Sequence, residues 1–323
     1  MTDDALLFID ANQYLELYRT VHGKSILAAL VEQANYIFIT RQVVDEVTRN
    51  KVNVTAHFLT THFKRLQLST YGVHDHLFGA DEKQSRGIRC QMKDIGQKIE
   101  QVNTELTDLA MNIITKVSQS TDEVSTALAP IFANAVWHSG KQLQNAQQRK
   151  ERGDPPGKPT DPIGDQVNWE QILCRFVGKT RLWIITNDGD YGSVYGKKGE
   201  EKGFLNRFLM DELVKVSSSA EVFLFDNVLD GIKHFADTMR VKADKLPSPN
   251  EMEKIKEERE TLKEEESLAP GYWMPNYRVG DYRHAAMTAL GFFSRSTGGA
   301  LSSGEGGLAW SQTTSHEPPN EGG

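Results

Sequence analysis

Five acids hold the chemical interest of this sequence: Asp10, Glu46, Asp165, Asp188 and Asp190. Asp10 ends the run Leu6-Leu7-Phe8-Ile9, which is too short for a helix and too apolar for an exposed strand. It reads as a parallel strand buried on both faces. Asp188 and Asp190 flank Gly189 directly after a second such run, Leu182 to Ile185. Acids at the carboxyl ends of buried strands sit in the crevice where open α/β sheets bind ligands. Glu46 falls within two turns of Thr40, the cap of a helix, and Asp165 falls in the first turn of another. Each has an ordinary reading: a turn for Asp188 and Asp190, a helix-end charge for Asp165, a solvated helix face for Glu46. Gathered in one cleft, however, they would repel one another unless a cation neutralised them. Oxygen ligands without His or Cys suit Mg²⁺ or Mn²⁺. A carboxylate-held pair of such ions can activate water and steady the leaving oxygen of a phosphodiester. The requirement is that Asp10, Asp165 and Asp188 converge within reach of one ion; an Asp165 turned to solvent would defeat it.

The elements that must position these acids are a set of short buried strands joined by helices. Strands are expected at Leu6–Ile9, Tyr36–Ile39, Arg181–Thr186 and Glu221–Phe225, with helices after each, the βαβ pattern of a mostly parallel sheet. A chain of 323 residues, 38% hydrophobic and 25% charged, can bury one sizeable core with appendages. Cys90 and Cys174 stand far apart, against a disulfide framework or a zinc site and in favour of a reducing compartment. The acidic N-terminus enters the first strand directly, and no apolar run approaches the roughly 20 residues that span a bilayer. A cytoplasmic protein without a membrane partner is expected. The net charge of −7 supplies no general attraction to nucleic acid, so such binding would need a local basic patch or a metal. A serine elbow, a P-loop lysine and a Gly-x-Gly-x-x-Gly are all missing, and the nine histidines have no ligand spacing.

Residues 51–150 follow a different pattern. Ile88, Met92, Ile95, Ile99, Val102, Leu106, Leu109 and Ile113 alternate steps of four and three. Ser120-Thr-Asp-Glu123 opens a further helix with Val124, Leu128, Phe132 and Val136 on one face. A long antiparallel helical hairpin inserted into the α/β domain is expected, its first helix about 50 Å long. The stripe reads as packing within that hairpin or as a dimer seam. Arg149, Lys150, Arg152 and Lys158 make the following Pro/Gly loop the most basic stretch of the globular part, as a solvated loop or a contact surface. Beyond about 240 come a charged segment over 247–266, read as a solvated helix or disorder, an aromatic island from Tyr272 to His284 and a Gly/Ser-rich tail read as disordered. The expected division is therefore 1–240 with an insertion at about 51–150, and 241–323.

The acidic motifs Leu-Phe-Ile-Asp10-Ala-Asn12, Val-Val-Asp-Glu46-Val, Ile163-Gly-Asp165-Gln-Val-Asn-Trp-Glu170 and Thr186-Asn-Asp188-Gly-Asp190 resemble those of PIN-domain nucleases, in the larger bacterial PIN-like branch with a helical insertion. The resemblance covers residues 5–50 and 150–240. It implies a three-layer α/β sandwich around a mostly parallel sheet, with the inserted hairpin and flexible tail outside it. It further implies an endoribonuclease dependent on Mg²⁺ or Mn²⁺ that leaves 5′-phosphate and 3′-hydroxyl ends. Asp10, Glu46, Asp165 and Asp188 would be the metal-binding catalytic acids, Asp190 a supplementary one, with Asn12 and Thr186 hydrogen-bonding the cluster and Glu170 either structural or a support behind the metal-binding acids. An RNA substrate and an inhibitory or regulatory protein partner go with this reading, whether as a toxin, a phage-defence effector or a housekeeping enzyme. The alternative is a non-catalytic PIN-like module that binds through its insert and tail. A haloacid-dehalogenase-like phosphatase would want an aspartate where Asn12 stands, and a nucleotide-binding fold would want its glycine fingerprint.

Overall fold

A computed structural model describes residues 4–69, 82–158, 162–196 and 202–268. The aromatic island and the Gly/Ser-rich tail lie outside the described residues. Four parallel strands, β1 (Ala5–Ile9), β2 (Ile37–Phe38), β3 (Arg181–Ile185) and β6 (Glu221–Phe225), form a sheet in the order β2-β1-β3-β6. From β1 the chain first steps to β2 on one side and later to β3 on the other. The sheet therefore reverses direction between β1 and β3, where their carboxyl ends open a crevice.

Alternation along the strands fixes what each face meets. Leu7 and Trp183 are register partners, as are Trp183 and Phe223. Trp183 stacks on Phe223, with centroids 4.7 Å apart, and meets Phe235 of α9 (Val228–Met239) edge-on at 5.1 Å. Phe8 points to the opposite face, toward Tyr191, which in turn meets Trp169 of α7 (Gly164–Phe176). Helices thus cover both faces, and β1 and β3 can be continuous apolar runs because neither face meets water.

The long helix expected over 86–118 is present as α4 (Glu82–Ser118), but its antiparallel partner is α3 (Arg41–His62) and not the helix expected to open at Ser120. They run antiparallel: the Lys51 ammonium donates to the Ser120 hydroxyl at 2.7 Å, while Leu66, beyond the end of α3, is bonded to Asn103. The helix expected from residue 120 is shorter. Asp122 caps α5 (Glu123–Phe132), the chain then runs past β2, and α6 (Gly140–Arg152) begins behind a complete capping box at Ser139 and Gln142. One pair of strands was not anticipated, and a charged helix expected to be solvated is docked. The β4–β5 hairpin (Gly192–Tyr195 and Lys202–Leu205) follows the Asp188 turn and packs along β6, where a Cβ at Gly203 would collide with the Leu224 carbonyl. The charged segment forms α10 (Pro249–Leu268), which docks on the core through Ile255 and Met252.

Arg149 is not part of a basic surface. Its guanidinium, 6% exposed, bonds Glu170 at 2.9 Å, Glu212 at 2.8 Å and the Pro155 carbonyl at 2.7 Å. Glu212 also accepts from the Trp169 indole at 2.7 Å, so these residues lock α6, α7 and α8 (Arg207–Val216) together. Glu170, expected to be structural, has its place in this knot.

Candidate acidic site

Register delivers the first pair of site residues. Ile9 lies beside Ile185, so the next residues, Asp10 and Thr186, emerge side by side from the sheet. Asp10 caps α1 (Ala11–Glu16), its Oδ1 accepting from the Ala11 amide at 2.8 Å. Its Oδ2 accepts from the Thr186 hydroxyl and from the Asn12 side-chain amide, both at 2.7 Å. Asn12 also donates to Thr186 Oγ1, and its Oδ1 accepts from the Asn187 amide at 3.2 Å. The turn after β3 is folded over the same hydroxyl: the Asp188 amide donates to Thr186 Oγ1 at 2.9 Å, and the Asp190 amide donates to Asp188 Oδ1 at 2.9 Å. Asp10, Asn12, Thr186 and Asp188 therefore form one hydrogen-bonded unit across two strand ends.

Glu46 and Asp165 come from helices tied to each other. The Thr40 hydroxyl caps α3 by accepting from the Val43 amide and donates to Asn168 Oδ1 at 2.6 Å, one turn along α7 from Asp165. Glu46 and Asp165 lie within electrostatic reach of the strand-end pair. Burial, and then the charge of Asp188, raises Asp10 to about 6, against the pull of its Thr186 and Ala11 hydrogen bonds. Burial and the charges of Asp10 and Asp188 raise Glu46 to about 7, with Arg49 opposing. Asp165 rises furthest, to about 9, through burial and then Asp10, Asp188, Glu46 and Asp190. Among the described residues, no three His, Cys, Asp or Glu side chains already form a ligand cage. The acids share a field without having closed around an ion.

Three residues at this site were not singled out by the sequence reading. Tyr191 is fully buried beneath the acids, and among the described residues its hydroxyl has no hydrogen-bond partner. Burial and the charges of Asp165, Asp10, Asp188 and Glu46 push its phenol well above the ordinary value, so it stays a proton donor. Glu16 lies one helical turn beyond Asn12 and accepts from the Asn187 side-chain amide at 2.6 Å. Arg259 of α10 pairs with Glu16 at 3.0 Å and also donates to Asn187 Oδ1 and to the Asp226 carbonyl. Only the position of Tyr191, directly after the acidic turn, is a signal the sequence could have offered.

The parallel sheet, its reversal point and acids at that point define an α/β protein with its site at the strand ends. The family model described as a PIN like domain matches residues 6–191, and the chain belongs to that family. PIN domains are generally nucleases that use divalent metal ions. No curated protein and no solved structure matches the chain. Among the described residues no helix is long and apolar enough to cross a membrane.

Proposed function

We propose that this protein is an endoribonuclease whose acidic site holds Mg²⁺ or Mn²⁺ and hydrolyses phosphodiester bonds in single-stranded RNA. The observation that supports this most is that burial raises Asp10, Glu46 and Asp165 together, with the charge of Asp188 adding to all three and that of Asp190 to Asp165. Buried carboxylates that repel one another fit a site made for a hard cation. Asp10, Glu46, Asp165 and Asp188 would hold the ion, with Asp190 in support; when bound, it supplies Lewis acidity for water attack and for the departing 3′ oxygen. Asn12 and Thr186 orient Asp10, and the Asp188 amide bonded to Thr186 keeps the second acid in step with the first. The Tyr191 hydroxyl, still protonated, can donate to a carboxylate or to water in the cleft. The working unit is residues 1–240 with the insertion at 51–150, joined by Arg259 from beyond that limit.

Unpaired bases suit the flanks of the site. At the β2 edge Val136 pairs with Ile39 and Arg41, which sets Trp137, 67% exposed, against the Arg41 guanidinium at 5.1 Å. At the β6 edge an open cleft of about 360 Å³ runs from Thr186 and Asp188 to Tyr195, which is 67% exposed. Aromatic and guanidinium faces on either side of the acids match single-stranded nucleic acid, whose bases stack on such surfaces.

A second reading, a PIN-like interaction module regulated by or regulating a protein partner, draws on the lack of a closed ligand cage among the described residues. Cleavage of a single-stranded RNA pool in Mn²⁺, Mg²⁺ or EDTA, by wild type and Asp10→Asn, separates the two. The nuclease reading expects metal-dependent products with 5′-phosphates, and a rate lowered about a hundredfold or more by the substitution. Cutting that persists equally in Asp10→Asn would remove this site from the chemistry. A wild type that neither cuts nor binds metal supports the interaction module.

A further inference from the structure

The apolar stripe of α4 is only half accounted for by the fold. In heptad terms Met92, Ile99, Leu106 and Ile113 occupy a positions, and Ile88, Ile95, Val102 and Leu109 occupy d positions. Asn103, Ala110 and Val117, seven residues apart, are buried on the side toward α3, where Asn103 exchanges two hydrogen bonds with the Leu66 backbone. The a residues beside them are half-buried. The d residues are not covered: Ile88, Ile95, Val102 and Leu109 are 51%, 47%, 40% and 47% exposed. Packing within the hairpin thus leaves an apolar seam about 32 Å long, at a strict seven-residue repeat, facing outward. Scattered exposed aliphatics need no explanation, but four in one heptad register on the longest helix do.

We propose that α4 is a self-association face, on which two copies of this chain pair antiparallel along the Ile88–Ile113 seam. Charge selects both the occupant and the direction. In the antiparallel register every a residue meets a d residue of the second copy, Met92 against Leu109, Ile99 against Val102, and so on through four layers. That same register sets the exposed g residues Lys98 and Glu105 against each other across the dyad, giving two ion pairs of opposite charge. A parallel pairing would set Lys98 against Asn103 and Glu105 against Ala110, with no charge to gain. The seam lies on the insertion, on a helix that supplies none of the acids, so pairing leaves the strand ends free.

Sedimentation equilibrium on the full chain tests this. Wild type is expected to be a reversible dimer in the micromolar range. The Ile95→Glu/Val102→Glu variant should be monomeric with an unchanged far-ultraviolet circular dichroism spectrum, because both positions face solvent in the single chain. Lys98→Glu sets like charges across the dyad and should weaken the dimer about tenfold, whereas Lys98→Glu/Glu105→Lys should restore it. A wild type that stays monomeric, or a dimer indifferent to Ile95→Glu/Val102→Glu, overturns the proposal. A charge exchange that fails to restore the dimer overturns the antiparallel register.

Discussion

This protein buries two groups of carboxylates and treats them in opposite ways. Around Arg149, the acids Glu170 and Glu212 share a guanidinium that also reaches the Pro155 carbonyl, and an indole satisfies a remaining oxygen. At the strand ends, no arginine or lysine among the described residues forms an ion pair with Asp10 or Asp165. There the acids respond by holding protons, Asp165 most of all. The first group carries its own counter-ion and is architectural; the second has no such ion pair at Asp10 or Asp165 among the described residues, which is what the proposed cation site requires. Similar side chains become structure or chemistry according to whether the chain supplies the neutralising charge.

The sharpest way to break the first arrangement is Arg149→Met. It leaves two acids in a dry interface without their partner, and such losses cost about 3–5 kcal/mol. Urea unfolding should show that decrease. Asp165→Asn tests the second arrangement with the opposite sign. In metal-free protein near pH 8 it removes the cost of protonating that acid on folding and should raise stability by about 1 kcal/mol or more. Loss of stability in both variants would erase the distinction.

Acidity gives the same contrast without mutation. The folded pKa values of Asp10, Glu46 and Asp165, about 6, 7 and 9, all lie above those of an unfolded chain. The folded protein therefore holds protons that the unfolded chain has released. Their contribution to stability is complete below about pH 4 and is lost as the pH climbs through 6, 7 and 9. Differential scanning calorimetry of metal-free protein should show Tm falling from pH 5 to 9, by about 2–4 °C for each kcal/mol lost. Saturating Mn²⁺ should remove the decline by replacing protons with the ion.

The smallest expected effect belongs to Arg259. Lys keeps the charge but cannot span Glu16, Asn187 and the Asp226 carbonyl together. Arg259→Lys should lower kcat of RNA cleavage several-fold with KM little changed, and quicken amide exchange over residues 184–191. Unchanged exchange there would show that α10 merely lies against the site.

What the sequence could reveal followed from how local each signal is. Leu6 to Asp10 and Leu182 to Asp188 were readable because an apolar run that ends on an acid encodes strand, burial and crevice within a few residues. Glu46 and Asp165 could be suspected from their place near helix starts, but the Thr40–Asn168 bond that ties their helices spans 128 positions. The β4–β5 hairpin has short, half-exposed strands without clear alternation, and so gave no period to detect. The α10 segment looked solvated because, among the described residues, only Met252 and Ile255 anchor its apolar side. Arg149 looked like basic surface because its partners lie 21 and 63 residues away. Heptad spacing was legible in α4, but exposure of the d residues could be read only once α3 was in place.

Isothermal titration of metal-free protein with Mn²⁺, wild type beside Asp10→Asn and in two buffers of different ionisation enthalpy, tests the central claim most directly. The acidic site as described predicts saturable binding with proton release, since protonated acids must ionise to bind the ion, and at least tenfold weaker binding in Asp10→Asn. Wild-type protein that takes up no Mn²⁺, or Asp10→Asn that binds it equally well, would contradict it.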